Sequence, residues 1–473
     1  MSDKKRIANN SPKVLLIYPR LEKGDNPFFK YPWAPISYLY LASFLLDAGI
    51  DVEIFDQRLG AEEEARAKER WKTSKDGYLF AVLITTTGEQ VGFALDIAKW
   101  LRSNIPSMPL VWGGSRLMLS NREKVSIPSV FPEVVARNPL VDLVVREGGE
   151  LIIPAIAKFM INGNKFPAVD LPENGINVAN MSGNLVLNAV FPYEPDRMSR
   201  LPLHLIKMDD YLNPRTGYWP VHVSAGCPNR CTFCIVNTRY IRPENDCFLK
   251  IIDSYSNVDG IKNLKFFDPN FLANKKRSLE LFTELKKRGN KLGIICSADL
   301  TILKLFTPEE WGVMYDGGLR RIGFGSESGS PRMLQLIKKR YRHEDMFIFL
   351  ERIKNVPINL FTSFMVMLPT ETVEDVAMTR DYIFKIAGLN PRLVIGVNIF
   401  YPTPASEIAG FCRQFGYREP DTLEGWRDSK MYYEFQECRT AINDLPWVSN
   451  DLAAEYEKTL NQIYEFIRGR YVY

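Results

Sequence analysis

Histidine is nearly missing from this chain of 473 residues, which has three: His204, His222 and His343. They are too few and too scattered to form a histidine-centred site by themselves, and each reads first as a packing or surface residue. No cysteine precedes Cys227. No run approaches the ~20 consecutive apolar residues needed to cross a bilayer. Charge of one sign is also missing: 60 Lys plus Arg against 56 Asp plus Glu leaves +4, too little to build a nucleic-acid or membrane surface. The first residues, Met1-Ser2-Asp3-Lys4-Lys5-Arg6, are charged with no apolar stretch behind them, so no secretory signal and a cytoplasmic location are expected. Repeats and low-complexity tracts are absent. What is present is ordinary for a globular protein, with 46% apolar and 25% charged residues, in a length that predicts two or three domains. The exception is the cysteine usage. Three of seven fall within eight positions, the pattern of a reducing compartment with a local metal or redox site.

The apolar pattern predicts an α/β protein. Strands are expected at Val14–Tyr18, Ile50–Phe55, Phe80–Ile84, Pro109–Trp112 and Val141–Val145, with helices at Pro35–Ala48, ended by Gly49, and around Val91–Leu101. Alternation of this kind implies a doubly wound, Rossmann-like parallel sheet over residues 1–160. Ligands of such sheets bind beyond the carboxyl ends of the strands. Those ends are Tyr18-Pro19-Arg20, Thr85-Thr86-Thr87-Gly88, Gly113-Gly114-Ser115 and Glu147-Gly148-Gly149-Glu150. Residues 161–217, rich in Asn, Gly and Pro with a hairpin signal at Ser182-Gly183-Asn184, read as a linker. A second alternating region over 218–410 has strands expected at Trp219–Ser224, Ile261–Phe267, Leu292–Ser297, Arg321–Gly325, Phe361–Met367 and Leu393–Phe400. Six strand–helix units fit a partial (β/α)6 TIM-like barrel. Residues 411–473 read as a short helical C-terminal region, closing with Leu452, Tyr456, Leu460, Ile463 and Ile467 on one helix face.

Cys227-Pro228-Asn229-Arg230-Cys231-Thr232-Phe233-Cys234 follows the first strand of that second region. Links this short let three thiolates fold around one inorganic cluster, leaving the fourth iron of a 4Fe-4S unit open to bind and reduce a ligand. The alternatives are a zinc site completed by Cys247 and His222, or unrelated buried cysteines.

This spacing, with an aromatic before the last Cys, resembles the radical S-adenosylmethionine (SAM) superfamily over roughly Tyr218 to Phe411. Three further segments are similar to that family's motifs: Phe266-Phe267-Asp268-Pro269-Asn270-Phe271, Gly323-Phe324-Gly325-Ser326-Glu327-Ser328-Gly329-Ser330 and Met367-Leu368-Pro369-Thr370-Glu371-Thr372. The resemblance implies that Cys227, Cys231 and Cys234 hold the 4Fe-4S cluster and that SAM chelates the open iron. It places Glu327 and Ser326 at the ribose or amino group, Phe233 and Pro369 near the adenine, and Asp268 at the methionine amine. Two departures stand out: Met367 occupies the position usually held by Gly, and the Arg common near the third strand's end is replaced around Ser297.

A doubly wound domain ahead of such a barrel resembles the cobalamin-binding architecture, with matches at Tyr31-Pro32-Trp33-Ala34-Pro35-Ile36-Ser37-Tyr38-Leu39, Gly113-Gly114-Ser115 and Val145-Arg146-Glu147-Gly148-Gly149-Glu150. The resemblance implies cobalamin contacts from Tyr18, Pro35, Thr85, Thr86, Thr87, Gly113, Gly114, Ser115, Glu147, Gly148 and Gly149. With no His before residue 204 the Asp-x-His-x-x-Gly motif is absent, so cobalamin without histidine ligation is expected. The lack of N-terminal cysteines separates the chain from methylthiotransferases, and Cys412 and Cys438 alone beyond the barrel separate it from auxiliary-cluster maturases.

The family resemblance implies a cobalamin-dependent C-methyltransferase. One SAM methylates reduced cobalt, a second is cleaved to a 5′-deoxyadenosyl radical that takes hydrogen from an unactivated carbon, and the substrate radical takes methyl from methylcobalamin. Size and C-terminal extension look similar to the enzymes that modify methyl-coenzyme M reductase, which points to a peptide or protein substrate, a glutamine of that reductase in particular, and to a ferredoxin or flavodoxin as electron donor. Tyr240, Tyr401, Tyr432 and Tyr433 are aromatics near the barrel mouth. The alternatives are a cobalamin-dependent cyclase or rearrangement enzyme, and a non-catalytic iron–sulfur protein for electron transfer or redox sensing.

Overall fold

The computed structural model describes residues 12–20, 31–85, 88–113, 131–166, 176–181, 184–189, 193–236, 240–404, 406–428 and 445–468. Thr86, Thr87, Gly114, Ser115, Tyr432, Tyr433 and Cys438 lie outside the described residues. The chain divides into two compact units: residues 1–197, 201–211 and 419–430, and residues 198–200, 212–418 and 431–473.

The first unit is built on β1 (Lys13–Tyr18), α1 (Ile36–Asp47), β2 (Asp51–Asp56), α2 (Ala61–Thr73), β3 (Tyr78–Ile84), α3 (Glu89–Asn104), β4 (Leu110–Gly113), α4 (Phe131–Arg137), β5 (Leu143–Glu147) and α5 (Gly149–Ile161). These strands are parallel in the order β2-β1-β3-β4-β5. Near-continuous apolar runs suit a sheet covered on both faces. Val14, Leu16, Phe80, Val82, Val111, Leu143 and Val145 pack with Tyr38, Leu41 and Leu45 of α1 and Ile152, Ile153 and Ile156 of α5. Helix α2 carries no apolar signal beyond Ala67 and Trp71, its two buried residues. Its exposed face is held by charge pairs one turn apart, Arg66–Glu62 and Lys68–Glu64, both at 2.6 Å.

The linker expectation needs correcting at the hairpin. β6 (Ile176–Met181) and β7 (Asn184–Ala189) pair antiparallel, and β7 joins the parallel edge of β5, so this stretch widens the first sheet to seven strands. Leu187 and Ala189 belong to its core. The helical tail is also divided, because residues 419–430 belong to the first unit. There α14 (Leu423–Asp428) sets Trp426 in the core and lays Arg427 over Gly92 of α3, where a Cβ would come within 2.7 Å of its Cγ. Arg427 also bonds Asp96 at 2.7 Å.

The second unit repeats strand and helix six times: β8 (Tyr218–Val221), α6 (Asn245–Tyr255), β9 (Asn263–Phe266), α7 (Lys275–Lys287), β10 (Gly293–Ser297), α8 (Leu300–Leu303), α9 (Pro308–Asp316), β11 (Leu319–Glu327), α10 (Pro331–Leu336), α11 (His343–Ile353), β12 (Asn359–Val366), α12 (Val373–Ala387) and β13 (Leu393–Ile399). α13 (Glu407–Cys412) and α15 (Asn450–Arg468) follow β13 in this unit. All six strands are parallel in sequential order. Right-handed crossovers between successive neighbours put every helix on one face and leave the other face free of helices. Alternation confirms this. Ile322, Phe324, Leu360, Thr362 and Phe364 are buried under the helices, whereas Arg321, Phe361, Ser363 and Met365 between them are half-buried or exposed.

Candidate functional site

The cysteine loop is closed at its neck and pinned at its tip. Ala225 and Ile241 form an isolated antiparallel bridge with two 2.8 Å bonds. At the tip, Thr232 N–H donates to Ile337 O at 3.1 Å and Thr232 O accepts from Ile408 N at 3.0 Å. The predicted strand here ends three residues early, at Val221. Beyond it, Asp268 is buried with its carboxylate accepting from the amides of Val223, at 3.1 Å, and Ser224. Asp268 therefore fixes the chain entering the loop.

Cys231 is buried and Cys227 and Cys234 half-buried. Burial pushes the Cys231 thiol up to about 11 and Cys227 above its ordinary value, and each is raised further by Cys234. Three thiolates therefore need compensating charge. Val236 N–H donates to Cys234 Sγ at 3.3 Å, and Lys339 works against the burial of Cys227 and Cys231. Among the described residues no three His, Cys, Asp or Glu side chains converge closely enough for a single metal ion. Three cysteines in one short loop, with the Val236 amide and Lys339 set against their charge, are a donor set that fits a 4Fe-4S cluster with one iron left open.

Lys339 is the residue that sequence reasoning missed. It is 8% exposed and lies 3.3 Å from both Asp299 Oδ2 and Glu327 Oε1, and it donates to Gly325 O at 3.1 Å. Burial opposes its charge, but Glu327 and Asp299 more than offset this and keep it protonated. Asp299 is held below its usual range, against burial, by Lys339 and Thr301, whereas burial raises Glu327. Glu327 has a left-handed backbone, φ 63°, which turns its carboxylate back over Gly325. A Cβ on Gly325 would lie 1.8 Å from Glu327 Oε1, so this glycine vacates the space that the carboxylate fills. Ser326 is committed elsewhere: its hydroxyl meets Thr362 Oγ1 at 2.6 Å. Phe233 is half-buried in the cysteine loop.

Pro369 is buried in the loop after β12. Met367 in that loop adopts φ 65°, a conformation costing about 1–2 kcal/mol for a residue with a Cβ. Its compensation is local. Glu371 Oε2 accepts from Met367 N at 2.6 Å, Leu368 N at 3.1 Å and Tyr456 Oη at 2.8 Å, and Trp447 Nε1 donates to Met367 O at 2.9 Å. The Met367 side chain packs with Val376, Leu445, Tyr456 and Leu460. The C-terminal helix α15 is thereby tied to the loop. Burial pushes Glu371 up to about 7 from 4.5. In the unfolded chain it ionises near 4.5, so between pH 4.5 and 7 the native state holds the extra proton, and stability falls as pH rises by up to about 1.4 kcal/mol per unit. Glu371→Gln is expected to flatten this component; urea unfolding at pH 5, 6 and 7 checks it, and equal slopes in both chains would refute the assignment.

In the first unit the strand order reverses between β1 and β3, the position where doubly wound sheets bind ligands. Thr85, beyond β3, is 1% exposed, and its hydroxyl has no hydrogen-bond partner among the described residues. An orphaned buried hydroxyl at that crevice fits a polar ligand such as a corrin side chain. Pro35 is buried at the start of α1. Tyr18 is occupied on both faces, by Tyr38 stacked at 4.6 Å and by the Arg58 guanidinium at 3.8 Å. Gly113 and Gly148 are explained by neighbouring backbone. A Cβ would meet Val145 O or Ala189 O at 2.6 Å, and Gly148 has φ 71°. Gly149 has ordinary room for a Cβ, and Glu147 is half-buried at the end of β5. Tyr240 and Tyr401 are half-buried in the second unit.

Residues 221–383 match the Radical SAM superfamily. An uncharacterised methyltransferase of Pyrococcus horikoshii is 26% identical over 382 residues, 79% of this chain and 78% of the relative. Among solved structures, the radical SAM methyltransferase TsrM of Kitasatospora setae, with tryptophan and a SAM analogue bound, aligns over 86% of this chain and 77% of its own at TM-score 0.63 and 18% identity. The cobalamin-dependent SAM radical enzyme OxsB, with aqua-cobalamin and SAM bound, aligns at TM-score 0.63 and 18% identity over 82% of this chain and 53% of its own. At these identities the two structures share the fold. No helix among the described residues is long and apolar enough to cross a membrane. Residues 221–383 thus match a radical SAM domain, a fold that implies a 4Fe-4S cluster and SAM.

Proposed function

We propose that the chain is a cobalamin-dependent radical SAM C-methyltransferase acting on an unactivated carbon of a peptide or protein residue, with a glutamine of methyl-coenzyme M reductase as the specific target and a ferredoxin or flavodoxin as electron donor. The observation that carries the reading is the cysteine loop beside the buried Asp299–Lys339–Glu327 network. When bound, the cluster supplies an electron to SAM and cobalamin supplies a methyl carrier. Cys227, Cys231 and Cys234 hold the cluster. Lys339 offsets thiolate charge, Glu327 receives the ribose or amino group of SAM, and the buried surroundings exclude water from a radical. The orphaned Thr85 hydroxyl, the TsrM and OxsB folds and the name of the Pyrococcus relative support the cobalamin and methyl-transfer parts.

Anaerobic reconstitution with iron, sulfide and cobalamin, followed by desalting, tests the reading. Expected are a 4Fe-4S spectrum, one cobalamin per chain, and 5′-deoxyadenosine from SAM on reduction. An intact cluster without cobalamin would overturn the methyltransferase and cyclase readings together. Cluster without SAM cleavage would leave an iron–sulfur protein of electron transfer.

A further inference from the structure

Among the described residues, the face of the second sheet turned away from its helices carries two cations without counter-charge. Lys265 on β9 and Arg321 on β11 flank Ile295 of β10 at one register level. Their neighbours along each strand fix the side they occupy. Phe266 packs on Phe248 of α6, and Phe324 on Phe349 of α11, so the alternate residues Lys265 and Arg321 face away from the helices. Both are half-buried. Among the described residues neither side chain makes a hydrogen bond or an ion pair. Burial lowers the Lys265 pKa, Cys296 works against that, and Arg321 lowers it further. Lys339 in the same unit is, by contrast, compensated by two carboxylates. An uncompensated, partly desolvated pair of like charges is a cost that a bound anion would repay.

The rest of the face is shaped for a ligand lying along it. One level above the pair, roughly 7 Å farther along the strands, Phe361 is 38% and Phe267 44% exposed. Phe361 turns its ring across Gly396, where a Cβ would sit 3.2 Å from it. Gly323 continues the level ground from Arg321 towards Gly325, four residues or about 13 Å away, where the Glu327 carboxylate lies. Ordinary barrels of this family of architectures fill their interior with branched side chains, but these positions are glycine.

We propose that Lys265 and Arg321 bind the anionic end of an extended substrate, a carboxylate or phosphate, whose apolar body lies over Phe361 and Phe267 towards Glu327. This rests on the substrate of the proposed reaction occupying the same sheet face. Its probe is 4-phenylbutanoate, compared with the neutral 4-phenylbutanamide by calorimetry on the reconstituted holoprotein. The carboxylate is expected to bind about tenfold or more tightly than the amide, the difference due to charge-assisted bonds, and Lys265→Gln/Arg321→Gln is expected to abolish the preference. Equal binding of acid and amide by the unmodified chain would overturn the proposal, with no variant needed, as would a preference that survives in the double variant. 3-Phenylpropyl phosphate in the same assay identifies the headgroup, tighter binding than the carboxylate indicating phosphate and weaker binding indicating carboxylate. Iron content measured on the same samples tests the cluster reading separately, so loss of either conclusion is visible without the other.

Discussion

Replacing Lys339 with methionine is expected to cost about 3–5 kcal/mol of unfolding free energy at pH 8, the usual loss when one partner of a buried ion pair is removed. Lys339 and Glu327 are each 8% exposed at the side chain, as is Asp299, so neither carboxylate can turn to water when the ammonium goes. Asp299 retains Thr301, whose amide and hydroxyl donate at 3.0 and 2.6 Å; Glu327 has no such reserve among the described residues and becomes the orphan. It responds by taking a proton. Burial already raises its pKa, and loss of Lys339 raises it further, so the native state of the variant binds more protons than the unfolded state across the mildly acidic range. Its stability deficit is therefore largest at high pH and shrinks as pH falls through the shifted value. Glu327→Gln in the Lys339→Met background removes the orphaned charge and should recover part of the loss, a coupling that a double-mutant cycle reads directly. Urea unfolding of the protein at pH 8 and pH 5 checks both statements. A deficit under about 1 kcal/mol, or one independent of pH, would show that the network is solvated and contributes little.

The contrast between Lys339 and Glu327 shows where the sequence was legible and where it was not. Glu327 could be read because it sits in a short motif directly after an alternating strand, so its place at the sheet's carboxyl edge follows from the strand alone. Lys339 lies twelve positions on, beyond α10, in Lys338-Lys339-Arg340, a run that looks like a solvated charge cluster. Only the fold brings one member of that run inward, and no periodicity distinguishes Lys339 from Lys338, which pairs with Glu407 and is exposed. The strands themselves were legible to within one to three residues because their apolar runs are long. β6 and β7 were missed as sheet members because Ile176–Met181 and Asn184–Ala189 carry four Asn residues and read as loop; they are strands because β5 offers an open edge to pair with. Gly113 and Gly148 were read as ligand-facing, but contact with neighbouring strands already demands glycine there. The family resemblance placed Asp268 at the methionine amine of SAM; the two amides its carboxylate bonds belong to a loop whose closure needs the tertiary bridge between Ala225 and Ile241, which no local pattern shows.

Gly325→Ala separates the proposed binding role of Glu327 from the stability of its surroundings. Gly325 does not have a left-handed backbone, so alanine meets no conformational penalty there, and the close atoms its Cβ would encounter all belong to the Glu327 carboxyl group, at 1.8, 2.7 and 3.3 Å. The methyl group takes the space of that carboxylate and leaves the rest of β11 in place. Glu327 must move off Lys339 and, staying buried, takes up a proton, while Lys339 keeps Asp299 and Gly325 O, so only one of the two ion pairs is lost. The expected result is a fold with near-normal iron loading, a stability loss smaller than that of Lys339→Met, and SAM binding weakened about tenfold or more, the value of one charge-assisted hydrogen bond. Equilibrium binding of SAM to the reconstituted protein, with 5′-deoxyadenosine formation at saturating SAM as the second reading, measures this. Should SAM bind Gly325→Ala as it binds the unmodified chain, Glu327 is only the buried partner of Lys339, and the nucleoside is held by the loop around Pro369 and the backbone of the sheet edge. Should binding weaken while iron loading stays normal, the carboxylate turned by a left-handed residue over a glycine is a ligand-binding group, which explains why a strained conformation is kept at the end of a nine-residue strand.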